Sequence, residues 1–130
     1  MRPFVLCVDD ERDVTDLVRF LLVRAGCEAA AAASGRAALA AVRARRPDLV
    51  LLDLMLPDID GFSLCEILRR EPTTARIPLV MLTAWATPDA QAHGLGLGAL
   101  AYITKPFSPR DLVERLPGWL GRAGSVLQGK

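Results

Sequence analysis

The run Leu49-Val50-Leu51-Leu52-Asp53 decides how the rest of the chain is interpreted. Four consecutive apolar residues end in a carboxylate, and the turn-forming residues Pro57, Asp60 and Gly61 follow. A continuous apolar run of this length is typical of a strand that is buried on both faces of a parallel sheet. Asp53 would then lie at the carboxyl end of a central strand, where open α/β sheets bind their ligands. The alternative is a loop-entry residue that only caps backbone amides.

Similar apolar runs recur along the chain and alternate with helical patterns. Besides the central strand, we predict strands over residues 4–8, 27–33, 77–82 and 100–104, the second of them an edge strand despite its five alanines. Each strand is followed by apolar residues at helical spacing, so strand and helix alternate five times. This alternation predicts a doubly wound α/β domain.

Signals at the ends of the helices complete the predicted organisation. Ser34 and Thr87 are expected to cap the second and fourth helices, and Ser108 the last one. Pro117-Gly118 should break or kink the last helix. We therefore divide the chain into a domain over residues 1–120 and a frayed tail over residues 121–130.

Size and composition limit the classes of protein that fit. The chain has 130 residues, the usual size of one domain, with 16 basic and 15 acidic residues and a net charge of +1. This near-balance argues against direct nucleic-acid or membrane-surface binding, which would require a basic excess. The three cysteines lack metal-ligand spacing, so we expect reduced, mostly buried thiols. We also expect no signal peptide and no membrane helix, and therefore a cytoplasmic protein.

Polar side chains follow four of the predicted strands. They are Asp9 and Asp10 after the first strand, Asp53 after the third, Thr83 after the fourth and Lys105 after the fifth. Parallel strands bring their carboxyl ends to one edge, so the three carboxylates should repel one another by about 4 kcal/mol per pair at a separation of about 4 Å. Lys105 and a divalent cation would relieve this repulsion, and oxygen ligands suit Mg²⁺. The set predicts a phosphoryl-transfer site, with a structural acid–base network as the alternative.

Four motifs, in this order, carry a resemblance to a known family. They are Val-Asp-Asp-Glu at 8–11, Leu-Leu-Asp-Leu-Met-Leu-Pro-Asp-Ile-Asp-Gly at 51–61, Leu-Thr-Ala at 82–84 and Tyr-Ile-Thr-Lys-Pro-Phe at 102–107. Together they resemble the receiver domain of bacterial two-component response regulators, over the chain as far as about residue 116. The resemblance implies a flavodoxin-like (βα)5 fold with a five-stranded parallel sheet in the order 2-1-3-4-5.

The resemblance also implies how the acidic residues act. Asp53 would be the phosphoacceptor, which takes a phosphoryl group from a histidine kinase or a phosphotransfer protein. Asp10, Asp53 and the backbone carbonyl of Met55 would bind Mg²⁺ directly, with Mn²⁺ as an alternative, and Asp9 would act through water. The domain would assist its own phosphorylation and dephosphorylation without being an enzyme.

Two further residues would carry the signal. Thr83 would swing toward the phosphoryl group, while Lys105, which precedes a cis bond to Pro106 in the family, would pair with it. Tyr102 would be an aromatic switch that moves inward with Thr83, or else an ordinary half-buried strand aromatic.

Other residues would border the site. Ala84 and Trp85 would lie beside the phosphoryl group, and the bulk of Trp85, with Met55, would restrict water and slow the loss of that group. His93, the single histidine, is expected to be solvated on a helix surface.

Departures from the family pattern concern the surface. Leu100-Ala101 replaces an acidic pair that commonly precedes the last strand. This argues against the dimer that many DNA-binding regulators form, and it leaves homodimerisation open. Leu100, Trp119 and Leu120 would instead form a small exposed apolar contact patch. A stand-alone receiver and a part of a longer regulator both fit the sequence.

The sequence therefore predicts a phosphorylation-controlled switch in a two-component system, acting on an unidentified partner or effector. An unphosphorylated interaction module of the same fold is one alternative, but the intact acids, Thr83 and Lys105 argue against it. A Mg²⁺-dependent phosphatase with an Asp nucleophile, of the haloacid-dehalogenase type, is another. That class usually carries an Asp two residues after the nucleophile, where Met55 stands here.

Overall fold

The computed structural model describes the backbone of residues 2–128 and the side chains of residues 2–121. Strands and helices alternate through this part of the chain, in the order β1 Phe4–Val8, α1 Arg12–Arg24, β2 Glu28–Ala32, α2 Gly35–Ala44, β3 Leu49–Leu52, α3 Gly61–Arg70, β4 Leu79–Thr83, α4 Pro88–Gly96, β5 Ala101–Thr104 and α5 Pro109–Gln128. The five strands are parallel and lie in the order β2-β1-β3-β4-β5. The predicted flavodoxin-like, doubly wound fold is confirmed.

Helices cover both faces of the sheet, with α1 and α5 on one face and α2, α3 and α4 on the other. Successive strand residues point to opposite faces. In β3, Val50 and Leu52 accordingly join the core formed with α2 and α3, whereas Leu49 and Leu51 join the core formed with α1 and α5. All four side chains are at most 1% exposed. Burial on both faces explains why this strand has no polar position. Asp53 follows its last residue and therefore lies at the end of a central strand.

Local signals set several element ends as predicted. Ser34 Oγ accepts a hydrogen bond from the Ala37 amide at the start of α2, and Thr87 Oγ1 accepts one from the Ala90 amide at the start of α4. Gly26 has a φ of 93°, which lets the chain turn after α1. The alanine-rich segment forms β2 at the edge of the sheet, as predicted.

The last helix differs from the prediction. α5 is one helix with Pro117 inside it, so the first part of the expectation of a break or kink at Pro117-Gly118, the break, is wrong. The kink stays a prediction. Leu116 and Trp119, on either side of this proline, are 3% and 6% exposed, and their burial favours a continuous helix over the hydrogen bond that proline cannot donate. The backbone is helical as far as Gln128, and residues 129–130 lie outside the described part of the chain. The division at residue 120 stays a prediction.

The predicted apolar surface patch is also wrong. Trp119 is a core side chain that packs with α1 and the sheet. Leu100 and Leu120 are partly buried against the same core. The helix continues beyond the proline and carries Trp119 and Leu120 inward, while Leu100, just before β5, is partly buried against the same core. The three side chains therefore do not form an exposed patch.

The cysteines are buried free thiols, as expected. Burial raises the pKa of Cys7 to about 12, so its thiol stays protonated and behaves as a small apolar group. None of the described helices combines the length and the apolar character needed to cross a bilayer.

Candidate functional site

The carboxyl ends of β1 and β3 place three carboxylates side by side. Asp9 and Asp10 follow β1, Asp53 follows the neighbouring β3, and carboxylate oxygens of all three lie within 4.8 Å of one another. Asp9 and Asp53 are 2% and 5% exposed, whereas Asp10 is open to solvent. The structure therefore brings the sequence-predicted acids together at one edge of the sheet.

Lys105, which follows β5, contacts the same cluster. Its Nζ atom lies 2.8 Å from Asp53 Oδ2, 2.5 Å from Asp9 Oδ2 and 3.0 Å from Glu11 Oε1. Burial by itself lowers the pKa of Lys105, but the hydrogen bonds to the three carboxylates outweigh it and hold that pKa above its usual range. Lys105 is therefore a permanent positive charge at this site. Its peptide bond to Pro106 is cis, as the resemblance implied.

One lysine does not balance the carboxylates around it. Burial raises the pKa of Asp9 against the opposing hydrogen bond from Lys105, and the charge of Asp53 raises it further. Asp10 adds another acidic group beside this pair. A divalent cation would remove the excess negative charge, and a donor set made only of carboxylate oxygens fits Mg²⁺ or Mn²⁺. The residues present are therefore suited to bind such an ion.

Both carboxylate oxygens of Asp53 have hydrogen-bond partners. Oδ1 accepts a hydrogen bond from the Met55 amide at 3.0 Å, and Oδ2 accepts one from Lys105 at 2.8 Å. Met55 belongs to the loop after β3, and its side chain is 60% exposed. The Met55 carbonyl, which was expected to bind the cation, thus belongs to a residue whose amide is hydrogen-bonded to Asp53.

Thr83 and Tyr102 each form a hydrogen bond with the backbone of Trp85. The buried Thr83 Oγ1 accepts a hydrogen bond from the Trp85 amide at 3.2 Å, and the Tyr102 hydroxyl donates one to the Trp85 carbonyl. Tyr102 is half-buried, and its ring packs so closely on α4 that a Cβ at Gly94 would lie 3.2 Å from it. Among the hydrogen bonds of the described residues, none joins Thr83 to Asp53. The two predicted switch residues are therefore connected by hydrogen bonds to one short segment, residues 83–85.

An aromatic cluster surrounds this segment. The ring of Trp85, which is 41% exposed, meets the ring of Phe62 edge-on with 5.4 Å between centroids. Phe62 meets His93 in the same way at 4.4 Å. His93 is exposed, as expected, although its ring also packs on Phe62. Ala84 is exposed next to Trp85. The cluster ties the loop between β4 and α4 to the start of α3 and to α4.

Two members of the site, Glu11 and Phe62, were not predicted from the sequence. Glu11 contacts Lys105, and the signal that could have identified it is its place at the end of the acidic run after β1. Phe62 contacts both Trp85 and His93. No local signal identifies Phe62, because its partners come from a separate loop and a separate helix.

Comparison with known proteins gives one consistent family. A family model described as the response regulator receiver domain matches residues 5–117. The phosphate regulon transcriptional regulatory protein PhoB of Pseudomonas aeruginosa is 45% identical over 120 residues, which make up 92% of this chain and 52% of PhoB. The DNA-binding response regulator MtrA of Mycobacterium tuberculosis is 43% identical over 122 residues, which make up 94% of this chain and 52% of MtrA. The chain thus spans about half the length of these curated relatives.

Solved structures of similar proteins share the fold. The chemotaxis response regulator CheY4 of Vibrio cholerae is 32% identical with a TM-score of 0.85, covering 92% of this chain and 99% of CheY4. A CheY-like response regulator receiver domain protein from Methanospirillum hungatei is 31% identical with a TM-score of 0.88, covering 96% of this chain and 98% of that one.

Proposed function

Because this chain belongs to the response regulator receiver domain family, we propose that it is a phosphorylation-controlled switch whose acceptor is Asp53. The observation that carries the proposal is the buried Asp53 carboxylate, 2.8 Å from Lys105 Nζ and within 4.8 Å of the Asp9 and Asp10 carboxylates. A nucleophile, a positive charge and metal ligands are thus available in one place. Receiver domains are generally not classed as enzymes. A phosphatase with an Asp nucleophile usually carries a second Asp, which acts as acid and base, where Met55 stands here, so this position does not support repeated turnover.

In the proposed reaction, a carboxylate oxygen of Asp53 attacks the phosphorus atom of a phosphohistidine. An oxygen–phosphorus bond forms, the phosphorus–nitrogen bond breaks, and the electron pair returns to the donor imidazole. Lys105, already in contact with Asp53, neutralises charge on the phosphoryl oxygens. When bound, Mg²⁺ or Mn²⁺ would supply further positive charge to these oxygens. The residues that would hold this ion are Asp10, Asp53 and the Met55 carbonyl, with Asp9 acting through water.

We propose that the phosphoryl group acts on the segment that joins Thr83 to Tyr102. Its oxygens offer the proton of the Thr83 hydroxyl an acceptor beside Asp53, and a hydroxyl that turns toward them leaves its present contact, in which Oγ1 accepts a hydrogen bond from the Trp85 amide. Because the Tyr102 hydroxyl is bonded to the Trp85 carbonyl, movement of this segment also changes the position favoured by Tyr102. The surface of α4 and β5 changes with it, and this change is the signal.

The phosphodonor that we propose is a sensor histidine kinase or a histidine phosphotransfer protein in the cytoplasm. The relatives PhoB and MtrA are named as a transcriptional regulator and a DNA-binding regulator. This domain, with a net charge of only +1, lacks the basic excess of a nucleic-acid binder. We therefore propose that it makes no direct contact with nucleic acid and transmits its state to a protein effector.

Intact-mass spectrometry with a small-molecule phosphodonor tests the proposal. The wild type is compared with Asp53→Asn and with Asp13→Asn, a control that removes an exposed acid in the first turn of α1. We expect one phosphoryl adduct on the wild type and on Asp13→Asn in Mg²⁺, none in EDTA, and none on Asp53→Asn. An adduct on Asp53→Asn would refute Asp53 as the acceptor. No adduct on the folded wild type would favour the unphosphorylated interaction module.

A further inference from the structure

Asp58 lies in the loop between β3 and α3, but its carboxylate binds the amino terminus of α2. Oδ1 accepts hydrogen bonds from the amides of Gly35 and Ile59, each at 2.8 Å, and Oδ2 accepts one from the Arg36 amide at 2.9 Å. These backbone hydrogen bonds hold the pKa of Asp58 below its usual range, so the carboxylate is charged at neutral pH. The first turn of α2 has no acidic residue of its own. The loop therefore supplies the negative charge that favours this helix end.

The loop that carries Asp58 is closely packed at both of its ends. At its base, the Gly61 amide donates a hydrogen bond to the Leu54 carbonyl at 2.8 Å, and a Cβ at Gly61 would lie only 2.5 Å from Leu54 Cα. Near Asp58, a Cβ at Gly35 would lie 2.8 Å from Ile59 Cβ. The loop thus lies against the first residue of α3 through its backbone and against the first residue of α2 through the Ile59 side chain, and neither glycine leaves room for a Cβ.

Met55 lies between these two attachments. Its amide is bonded to Asp53 Oδ1 at 3.0 Å, but its own side chain is 60% exposed and does little to hold the residue in place. The orientation of the Met55 carbonyl therefore depends on how the rest of the loop is held. We propose that Asp58 is a positioning residue, which ties the loop to α2 and thereby keeps the Met55 carbonyl directed at the cation shared by Asp10 and Asp53. This inference rests on the metal site of the proposed function.

The competing explanation is that Asp58 only caps α2 and has no effect on the metal site. A substitution of Ser34 distinguishes the two explanations. Ser34 also caps α2, but its Oγ accepts from the Ala37 amide at 3.1 Å, within the first turn of that helix. Removing either side chain weakens the start of α2. Only removing Asp58 also releases the loop that carries Met55.

Isothermal titration calorimetry measures the affinity of each protein for Mg²⁺, and urea unfolding in EDTA measures its stability without the metal. The proteins are the wild type, Asp58→Ala, Asp58→Asn and Ser34→Ala. We expect Asp58→Ala to weaken Mg²⁺ binding by about ten-fold, the lower end of what partners of metal ligands contribute, because one carbonyl ligand is loosened. Asp58→Asn keeps one acceptor oxygen but turns an amide N–H toward the Arg36 amide, so a smaller loss is expected. Ser34→Ala should lose stability and keep the wild-type Mg²⁺ affinity.

Each outcome has a defined meaning. An unchanged Mg²⁺ affinity in Asp58→Ala, or an equal loss in Ser34→Ala, overturns the inference and leaves the proposed function intact. A folded wild type that binds no Mg²⁺ overturns both. If Asp58→Ala does not fold, Asp58→Asn decides the question, since weaker binding supports the positioning role and unchanged binding overturns it.

Discussion

Replacing Arg69 with alanine should destabilise the domain although Arg69 lies outside the functional site. Its guanidinium donates hydrogen bonds to four backbone carbonyls: Nη1 to Ala75 at 2.9 Å and Ile77 at 2.8 Å, Nε to Leu97 at 3.1 Å, and Nη2 to Gly98 at 3.4 Å. The first two carbonyls precede β4 and the other two precede β5. Arg69, at the end of α3, thus holds together the loops that lead into two neighbouring strands.

The expected magnitude follows from these contacts. A hydrogen bond from a charged donor contributes about 1.5–3 kcal/mol, and its loss is fully felt where the acceptor cannot return to water. Ile77 is fully buried, while Leu97 and Gly98 are closer to the surface, where water can replace part of the loss. Counting only the two Nη1 bonds, at the lower value each, we expect Arg69→Ala to lower the free energy of unfolding by about 3 kcal/mol.

Urea unfolding followed by circular dichroism measures this loss. Arg70→Ala is the matched control, because Arg70 is the next residue of the same helix and is exposed, and its effect should stay within about 0.5 kcal/mol. Arg69→Lys should recover little stability, since an ammonium lacks the planar set of donors that reaches both loops. A loss below about 1 kcal/mol for Arg69→Ala, or an equal loss for Arg70→Ala, would refute the reasoning.

Substitutions nearer the site should have effects of other kinds. In EDTA, Asp9→Asn should raise the free energy of unfolding at neutral pH, because folding raises the pKa of Asp9 above its ordinary 3.8 and so disfavours its charged form. Because the pKa is raised in the folded state, the contribution of Asp9 to stability falls as the pH rises above 3.8, and the extra stability of the Asn variant should shrink on acidification. An Asn variant that is less stable than the wild type at neutral pH would contradict this prediction. Trp85→Ala should speed the loss of the phosphoryl group, followed by intact mass over time, and an unchanged rate would remove the proposed shielding role. Gly94→Ala should displace the ring of Tyr102, the single tyrosine, and lower its pKa from a value raised by burial toward 10.0 in an absorbance titration. Gly96→Ala, where a Cβ meets no atom within 4 Å, should leave that titration unchanged.

Much of the fold and of the site could be predicted from local sequence. The apolar run at 49–52 identifies a central strand because burial on both faces excludes polar residues from every position. The caps at Ser34 and Thr87 were predictable because each side chain bonds an amide three residues ahead. Asp53 and Lys105 could be assigned to one edge of the sheet because parallel strands bring their carboxyl ends together.

Contacts between distant parts of the chain were decided only by the tertiary structure. The amides that Asp58 binds in α2 lie 22 and 23 residues before it, and no local pattern specifies that pairing. Helix propensity predicts a break at Pro117, yet α5 continues because Leu116 and Trp119 are buried on either side. Proline costs about 3 kcal/mol in a helix interior, whereas burying a large apolar side chain contributes about 1.5–3 kcal/mol, so two such side chains can outweigh it. Propensity is a property of a few consecutive residues, but burial depends on which surfaces meet, and only the folded chain determines that.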